Sequence, residues 1–188
     1  MEIPNCGLVA GKVEFYSKEP DRPTAIEFYD MIMFMDQKRY IKRDKFGATA
    51  NMFTFASVFA KVGLFNEKLK SGGDGEWGKR VFAYGYKQIY ASDARVKHPA
   101  RSSLSQLHKK VVRVAGGHYE RDRGNMNLGQ EILKRLRPPV KFLRWRLSDE
   151  RLQGNKEKLM FVFVTIFVNY LTAWEMLRLQ MGGRAKRS

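Results

Sequence analysis

The chain has 188 residues, 44% of them hydrophobic, which is enough for an ordinary domain core and excludes wholesale disorder. A single cysteine, Cys6, excludes an internal disulfide, and the first ten residues do not resemble a secretory signal peptide. The net charge is +16, and residues 101–188 hold 19 Lys/Arg against 7 Asp/Glu. This excess favours a polyanionic partner such as a phosphate-bearing ligand, an anionic membrane or a nucleic acid.

The first half of the chain predicts alternating strands and helices. Residues 9–15 alternate as in a strand, and Thr24 is placed to cap a helix that continues at helical spacing to about Tyr40. The small apolar run 48–55 predicts a buried strand. A short helix follows and ends at Gly63.

The middle of the chain predicts a helix between a loop and a strand pair. A polar, Gly-rich stretch precedes a helix from Asp74 to about Tyr84, which Gly85 ends. Residues 88–91 and 95–98 then predict two short strands around a turn at Asp93.

After Pro99 the chain becomes helical and basic. Residues 102–119 form a basic helix with an apolar stripe, 120–127 a loop, and 128–136 a short helix that the prolines at 138 and 139 break. Residues 159–179 are largely apolar, but the uninterrupted part is half the length that a bilayer requires, and Glu175 is costly in hydrocarbon. We expect a buried or membrane-interface helix there.

The segment Ser71–Arg80 carries the most specific chemical signal. Two glycines precede Asp74 at a predicted helix start, where backbone can approach a ligand and a negative charge is favoured. The alternative is that Asp74 only caps the helix, with Glu76 as a first-turn acid. Arg80 is expected to pair with one of these two acids.

The order of motifs around this segment resembles the family 2, GT-A-type glycosyltransferases. The resemblance covers about residues 8–118. Its motifs are Ala48-Thr-Ala-Asn51, Val62-Gly-Leu-Phe-Asn-Glu67, Ser71-Gly-Gly-Asp-Gly-Glu-Trp77, Gly85-Tyr86, Tyr90-Ala-Ser-Asp-Ala94 and Val96-Lys-His98. It implies an α/β fold: part of a GT-A sheet in residues 1–118, followed by a basic helical region in residues 119–188 that is similar to a membrane-proximal tail.

The resemblance assigns roles around Asp74. Asp74 would be the general base that takes a proton from an acceptor hydroxyl as it attacks the anomeric carbon of a nucleotide-diphosphate sugar, with inversion. Gly72, Gly73, Glu76 and Trp77 would contact the acceptor, although a core position for Trp77 is an equal alternative. Many family members have a Glu-Asp pair where this chain has Gly73-Asp74, which leaves the acceptor open.

The resemblance also implies a divalent metal, Mn²⁺ or Mg²⁺, in the complete enzyme. His98 would lie near the metal and the diphosphate, although a histidine in that position is also compatible with an ordinary polar role. Arg101, Lys109 and Lys110 would neutralise the diphosphate leaving group.

The family's donor-binding half is missing from this sequence, since it contains no Asp-x-Asp motif. We therefore expect the isolated chain to be inactive and the donor site to come from another segment or chain. The expected location is the cytoplasm, at the inner face of the cell membrane. Competing hypotheses are a non-catalytic membrane-surface protein and a nucleic-acid-binding protein. The second is disfavoured because zinc-ligand sets, RNP-like motifs and heptads are absent from the sequence.

Overall fold

The computed structural model describes residues 3–122, 124 and 127–186, and the chain divides into two compact units. The first unit comprises residues 1–16, 34–68 and 72–98; the second comprises residues 17–33, 69–71 and 99–188. The first contains a small sheet with helices, whereas the second is helical. The predicted mixed α/β class is confirmed at this level.

The described part of the first unit contains a three-stranded sheet in the order β2-β1-β3. Its strands are β1 (Cys6–Tyr16), β2 (Met52–Phe53) and β3 (Lys87–Pro99). β1 and β2 are antiparallel, with Val9 opposite Phe53 and Ala10 opposite Met52. The two short strands predicted around Asp93 are wrong, because β3 is continuous along the 11-residue β1.

The helices of the first unit surround an apolar core. They are α2 (Gln37–Arg39), which continues into a π-helical turn at Tyr40–Asp44, α3 (Ala56–Val62) and α4 (Gly73–Ala83). The buried core residues are Leu8, Ala10, Ile41, Val58, Val62, Trp77 and Val81.

The strand predicted over residues 48–55 is mostly absent, and a turn that ends at the buried Asn51 lies there instead. Residues Thr49–Asn51 form a 3₁₀ turn, and within residues 48–55 only Met52–Phe53 form a strand. The Asn51 amide donates to the carbonyls of Lys12 and Ala94, at 2.9 Å each, and so joins β1 to β3. A side chain on Gly11 would collide with that amide, so the glycine makes the link possible.

The second unit begins with α1 (Ala25–Met33), which starts as predicted. The Thr24 hydroxyl accepts from the Glu27 N–H at 3.2 Å, and the Glu27 carboxylate accepts from the Thr24 N–H at 2.8 Å, a reciprocal capping box. The predicted continuation to Tyr40 is wrong. Met35 adopts a φ of 59°, and Asp36 caps α2 instead.

The remaining helices include those predicted over residues 102–119, 128–136 and 159–179. They are α5 (Leu104–Asp122), α6 (Leu128–Leu136), α7 (Val140–Arg146) and α8 (Asn155–Gln180). The predicted bounds of α6 are confirmed, with Asn127 as its cap. The loop predicted over residues 120–127 starts later than expected, and its residues 123, 125 and 126 lie outside the described residues.

Helix α8 packs on α1, α5 and α6 and buries Phe161, Met176 and Leu179. Glu175 is also buried, and its carboxylate lies 2.6 Å from the Arg178 guanidinium. Among the described helices, α8 alone is long and apolar enough to cross a membrane, a property that core helices of soluble proteins share. One face of α8 is therefore buried, and the helix is compatible with membrane association.

We predict that Asn51→Ala destabilises the first unit by about 2–3 kcal/mol, because two buried carbonyls lose their donor. Urea unfolding measures the change. Asn66→Ala is the matched control, since the Asn66 side chain makes an exposed hydrogen bond within its own turn. Equal unfolding midpoints for the two variants would contradict the role given to Asn51.

Candidate active site

The start of α4 lies where a left-handed glycine turns the chain into the helix. Gly72 occupies the N-cap position with a φ of 77°, which a residue with a side chain rarely adopts. Asp74 follows in the first turn, and its Oδ1 accepts from the Gly75 N–H at 2.9 Å. Asp74 therefore does not hold the cap position, although it satisfies one first-turn N–H.

The Asp74 carboxylate is half-buried and has no ion-pair partner among the described residues. It lies in the first turn of α4, at the positive end of the helix dipole. The Asp74 carboxylate also affects Tyr40. Burial raises the pKa of the Tyr40 phenol, and the negative charges of Asp36 and Asp74 raise that pKa further. A Cβ built on Gly73 or Gly75 would meet no atom within 4 Å, so open space flanks this carboxylate.

Glu76 differs from Asp74 because a cation holds it. Arg80 Nε donates to Glu76 Oε1 at 2.6 Å, and an Nη donates to the other oxygen at 3.1 Å. The pairing of Arg80 with Glu76 was one of the two expected outcomes. The same guanidinium donates to the carbonyls of Val62 and Leu64, both at 2.7 Å. Glu76 therefore serves to position α4, and its oxygens are already engaged.

Trp77 lies in the core of the first unit and has no exposed surface. Its Nε1 donates to the Gly63 carbonyl at 2.8 Å, and its ring stacks on Phe59 with centroids 4.6 Å apart. Of the two roles considered for Trp77, the structure shows the core position. A buried indole offers no surface to an acceptor.

His98 lies on β3, where its ring packs edge-on against Phe15 at 5.3 Å. Within the described ranges, no group of three or more His, Cys, Asp or Glu side chains is placed to hold a metal ion. The residues present therefore do not fit a complete metal centre, and the role of His98 as a ligand stays a prediction.

The cations expected to bind diphosphate lie in the second unit. The Arg101 guanidinium and backbone N–H both donate to Asp30, at 3.0 Å, and Asp30 has no exposed surface. Lys110 is buried on the same carboxylate at 3.4 Å, whereas Lys109 is exposed on α5. Of Arg101, Lys109 and Lys110, Lys109 is therefore the cation that is exposed to solvent.

Sequence reasoning missed Asp30 as the buried counter-ion of this cluster. Its signal was present, since Asp30 follows Ile26 by four residues and so falls on the apolar face of α1. Burial lowers the pKa of Lys110 to about 7, an effect that the adjacent Asp30 opposes and Arg101 reinforces. The structure thus brings Gly72, Gly73 and Asp74 together at the start of α4, and separately joins Arg101 and Lys110 through Asp30.

Comparison with known proteins gives a relationship to a glycosyltransferase. No protein-family model matches the chain. Over 113 residues, 60% of this chain, it is 39% identical to a protein named Glycosyltransferase AglE from Haloferax volcanii. The match covers 36% of that protein, so this chain spans about a third of the relative's length.

We predict that stability rises with pH because of Lys110. Below pH 7 the lysine is protonated in both states and its burial opposes folding. From pH 7 upward the folded state releases a proton that the unfolded state retains, so folding becomes more favourable. The expected gain is of the order of 1 kcal/mol per pH unit between pH 7 and 9.

The measurement is urea unfolding at pH 7, 8 and 9 with two substitutions. Lys110→Met should lose the gain, while Lys109→Met, which changes the exposed neighbour, should keep it. The same pH slope in both variants and the original protein would show that Lys110 is not the titrating group.

Proposed function

We propose that this chain forms the acceptor side of a family 2, GT-A-type glycosyltransferase in which Asp74 is the general base of an inverting transfer. The identity to a protein named as a glycosyltransferase carries the proposal, since it supports glycosyl transfer in general. The geometry at the start of α4 supports the choice of base. Asp74 has no ion-pair partner in the described part of the chain, whereas Arg80 engages both oxygens of Glu76.

The proposed reaction is a single displacement. The Asp74 carboxylate accepts the proton of an acceptor hydroxyl, and the hydroxyl oxygen forms a bond to the anomeric carbon of a nucleotide-diphosphate sugar. The bond from that carbon to the diphosphate breaks, and the nucleotide diphosphate leaves with the electron pair. Attack opposite to the leaving group inverts the anomeric configuration.

The start of α4 suits this role for two physical reasons. Among the described residues no ion-pair partner competes with an acceptor hydroxyl for the Asp74 carboxylate. Gly73 leaves room for an acceptor to approach the backbone, because a Cβ at that position would meet no atom within 4 Å. Trp77 contributes indirectly by donating to the Gly63 carbonyl, and Glu76 by holding Arg80, which donates to the Val62 carbonyl.

The donor side of the proposal lies largely outside this sequence. Without an Asp-x-Asp motif or a described group of metal ligands, we assign donor binding and the Mn²⁺ or Mg²⁺ ion to another part of the complete enzyme. His98 and Lys109 are the residues that we propose for that side from this chain. Arg101 is less suited, since Asp30 already occupies its guanidinium. We place the enzyme in the cytoplasm, peripheral to the membrane.

We predict that Asp74→Asn lowers transfer by about 10²- to 10⁴-fold, the contribution expected of a general base. The protein for this test is the chain expressed with the coding sequence that precedes it in its genome. The assay measures release of nucleotide diphosphate from a panel of nucleotide sugars with Mn²⁺, in the presence of hydroxyl acceptors.

Asp93→Asn is the matched control, since Asp93 is an exposed acid on β3, and it should retain activity. Undiminished turnover in Asp74→Asn would remove Asp74 as the base while leaving glycosyl transfer in place. Absence of turnover from every donor, in both the original protein and the control, would favour the non-catalytic membrane-surface alternative.

A further inference from the structure

A cationic elbow joins two helices of the second unit. It consists of α6, Pro138-Pro139 and α7, and is called the basic elbow below (residues 128–146). It contains six Lys/Arg and one acid, Glu131. The proline pair separates the helices. Neither proline can continue α6, and Pro139 is the residue that precedes α7.

The basic elbow also exposes large apolar side chains. Four of them lie within 13 residues: Leu133 (57% exposed), Leu136 (44%), Val140 (58%) and Trp145 (51%). Single exposed hydrophobics are ordinary on a protein surface, but a group of this density on one short segment indicates an interaction site.

A groove in the basic elbow is lined by both kinds of residue. Its apolar walls include Leu133, Pro138 and Val140, and its cations are Lys134, Arg137 and Lys141. A partner that suits this groove has an apolar interior for the aliphatic side chains to enter and an anionic surface for the cations to contact.

The cations of the groove are available to a partner. Arg137 and Lys141 are exposed and have no acidic partner in the described residues. Arg144, farther along α7, is also exposed and without an acidic partner in that part of the chain. Lys134 lies 3.6 Å from Glu131, but its side chain is 77% exposed, so this pair is weak. The stronger partner of Glu131 is Arg135, at 3.1 Å.

We propose that the basic elbow binds the surface of an anionic phospholipid bilayer. The lysine and arginine groups would contact lipid phosphates, while Leu133, Val140 and Trp145 enter the boundary between head groups and acyl chains. This inference goes beyond the proposed sugar transfer and does not depend on Asp74.

Two other occupants fit the observations less well. A nucleic acid would use the cations and could stack on Trp145, but it gives the aliphatic Leu133, Leu136 and Val140 no partner. A second copy of the chain would bring into contact two surfaces that each carry five cations outside the core and one acid, and like charges repel.

The test measures binding of the purified chain to vesicles by flotation. One set of vesicles is neutral phosphatidylcholine, and the other contains about 30% phosphatidylglycerol, within the range of anionic membranes. We expect binding to the anionic set only. Lys134→Gln/Arg137→Gln/Lys141→Gln should weaken it about 10- to 100-fold, as expected when three cations leave an anionic surface.

The matched control removes three exposed lysines from the first unit, Lys42→Gln/Lys79→Gln/Lys87→Gln, and has the same net charge as the elbow variant. It should bind with a less than threefold change. Circular dichroism before and after urea establishes that both variants fold, so loss of binding is not loss of structure.

Insertion has its own readout in the fluorescence of Trp145. The chain has three tryptophans; Trp77 is buried, so Trp174→Phe leaves Trp145 as the exposed indole. Its emission should shift to shorter wavelength on anionic vesicles. A Leu133→Ser/Val140→Ser variant should bind more weakly than the Trp174→Phe protein at equal charge.

Four outcomes would overturn the proposal. They are equal losses in the elbow and control variants, equal binding to neutral vesicles, loss of binding only when Phe163→Ser changes the exposed face of α8, and an unshifted Trp145 emission. Elbow-dependent binding of duplex DNA without vesicle binding would assign the surface to nucleic acid. Elbow-dependent dimerisation in the absence of lipid would assign it to a second copy.

Discussion

The position of α4 depends on three consecutive carbonyls at the end of α3. Arg80 and Trp77 donate to the carbonyls of Val62, Gly63 and Leu64, and the Trp77 ring fills the core beside them. Because both donors lie in α4, their hydrogen bonds fix the helix against this turn. The candidate base thus belongs to a helix that is fixed to the rest of the first unit by contacts other than its own carboxylate, which accepts only from the Gly75 N–H among the hydrogen bonds described.

The second unit uses positive charge in two opposite ways. Around Asp30, Lys110 is buried and Arg101 is partly buried, and the cost of removing Lys110 from water is large enough to bring its pKa to about 7. In the basic elbow Arg146 is buried, but Lys134, Arg137, Lys141 and Arg144 are exposed and can meet an anionic partner. The net charge of +16 therefore does not describe one surface, and its functional meaning depends on which cations are exposed.

The sequence was sufficient for most helices because their ends carry local signals. Thr24 with Glu27, Gly63 and the proline pair each act within a few residues, so α1, α3 and α6 began or ended where predicted. The strands were predicted less well, since they depend on distant partners: Asn51 turns inward to reach Lys12 and Ala94. For the same reason, the sequence did not show that Trp77 is buried in the core while Asp74 is accessible. Neither burial nor an ion pair can be read from the spacing of residues within one motif.

The contact between Gly11 and Asn51 has an evolutionary consequence. Any side chain at position 11 would displace the Asn51 amide and break its hydrogen bonds to both strands. A change at position 11 is costly whatever residue stands at position 51, because the new side chain would also collide with the Ala94 backbone oxygen. Across descendants of this sequence, Gly11 and Asn51 should be retained together, although 40 residues separate them along the chain. Their joint retention would mark the junction of β1 and β3 even in sequences too diverged for the motif around Asp74 to be recognised.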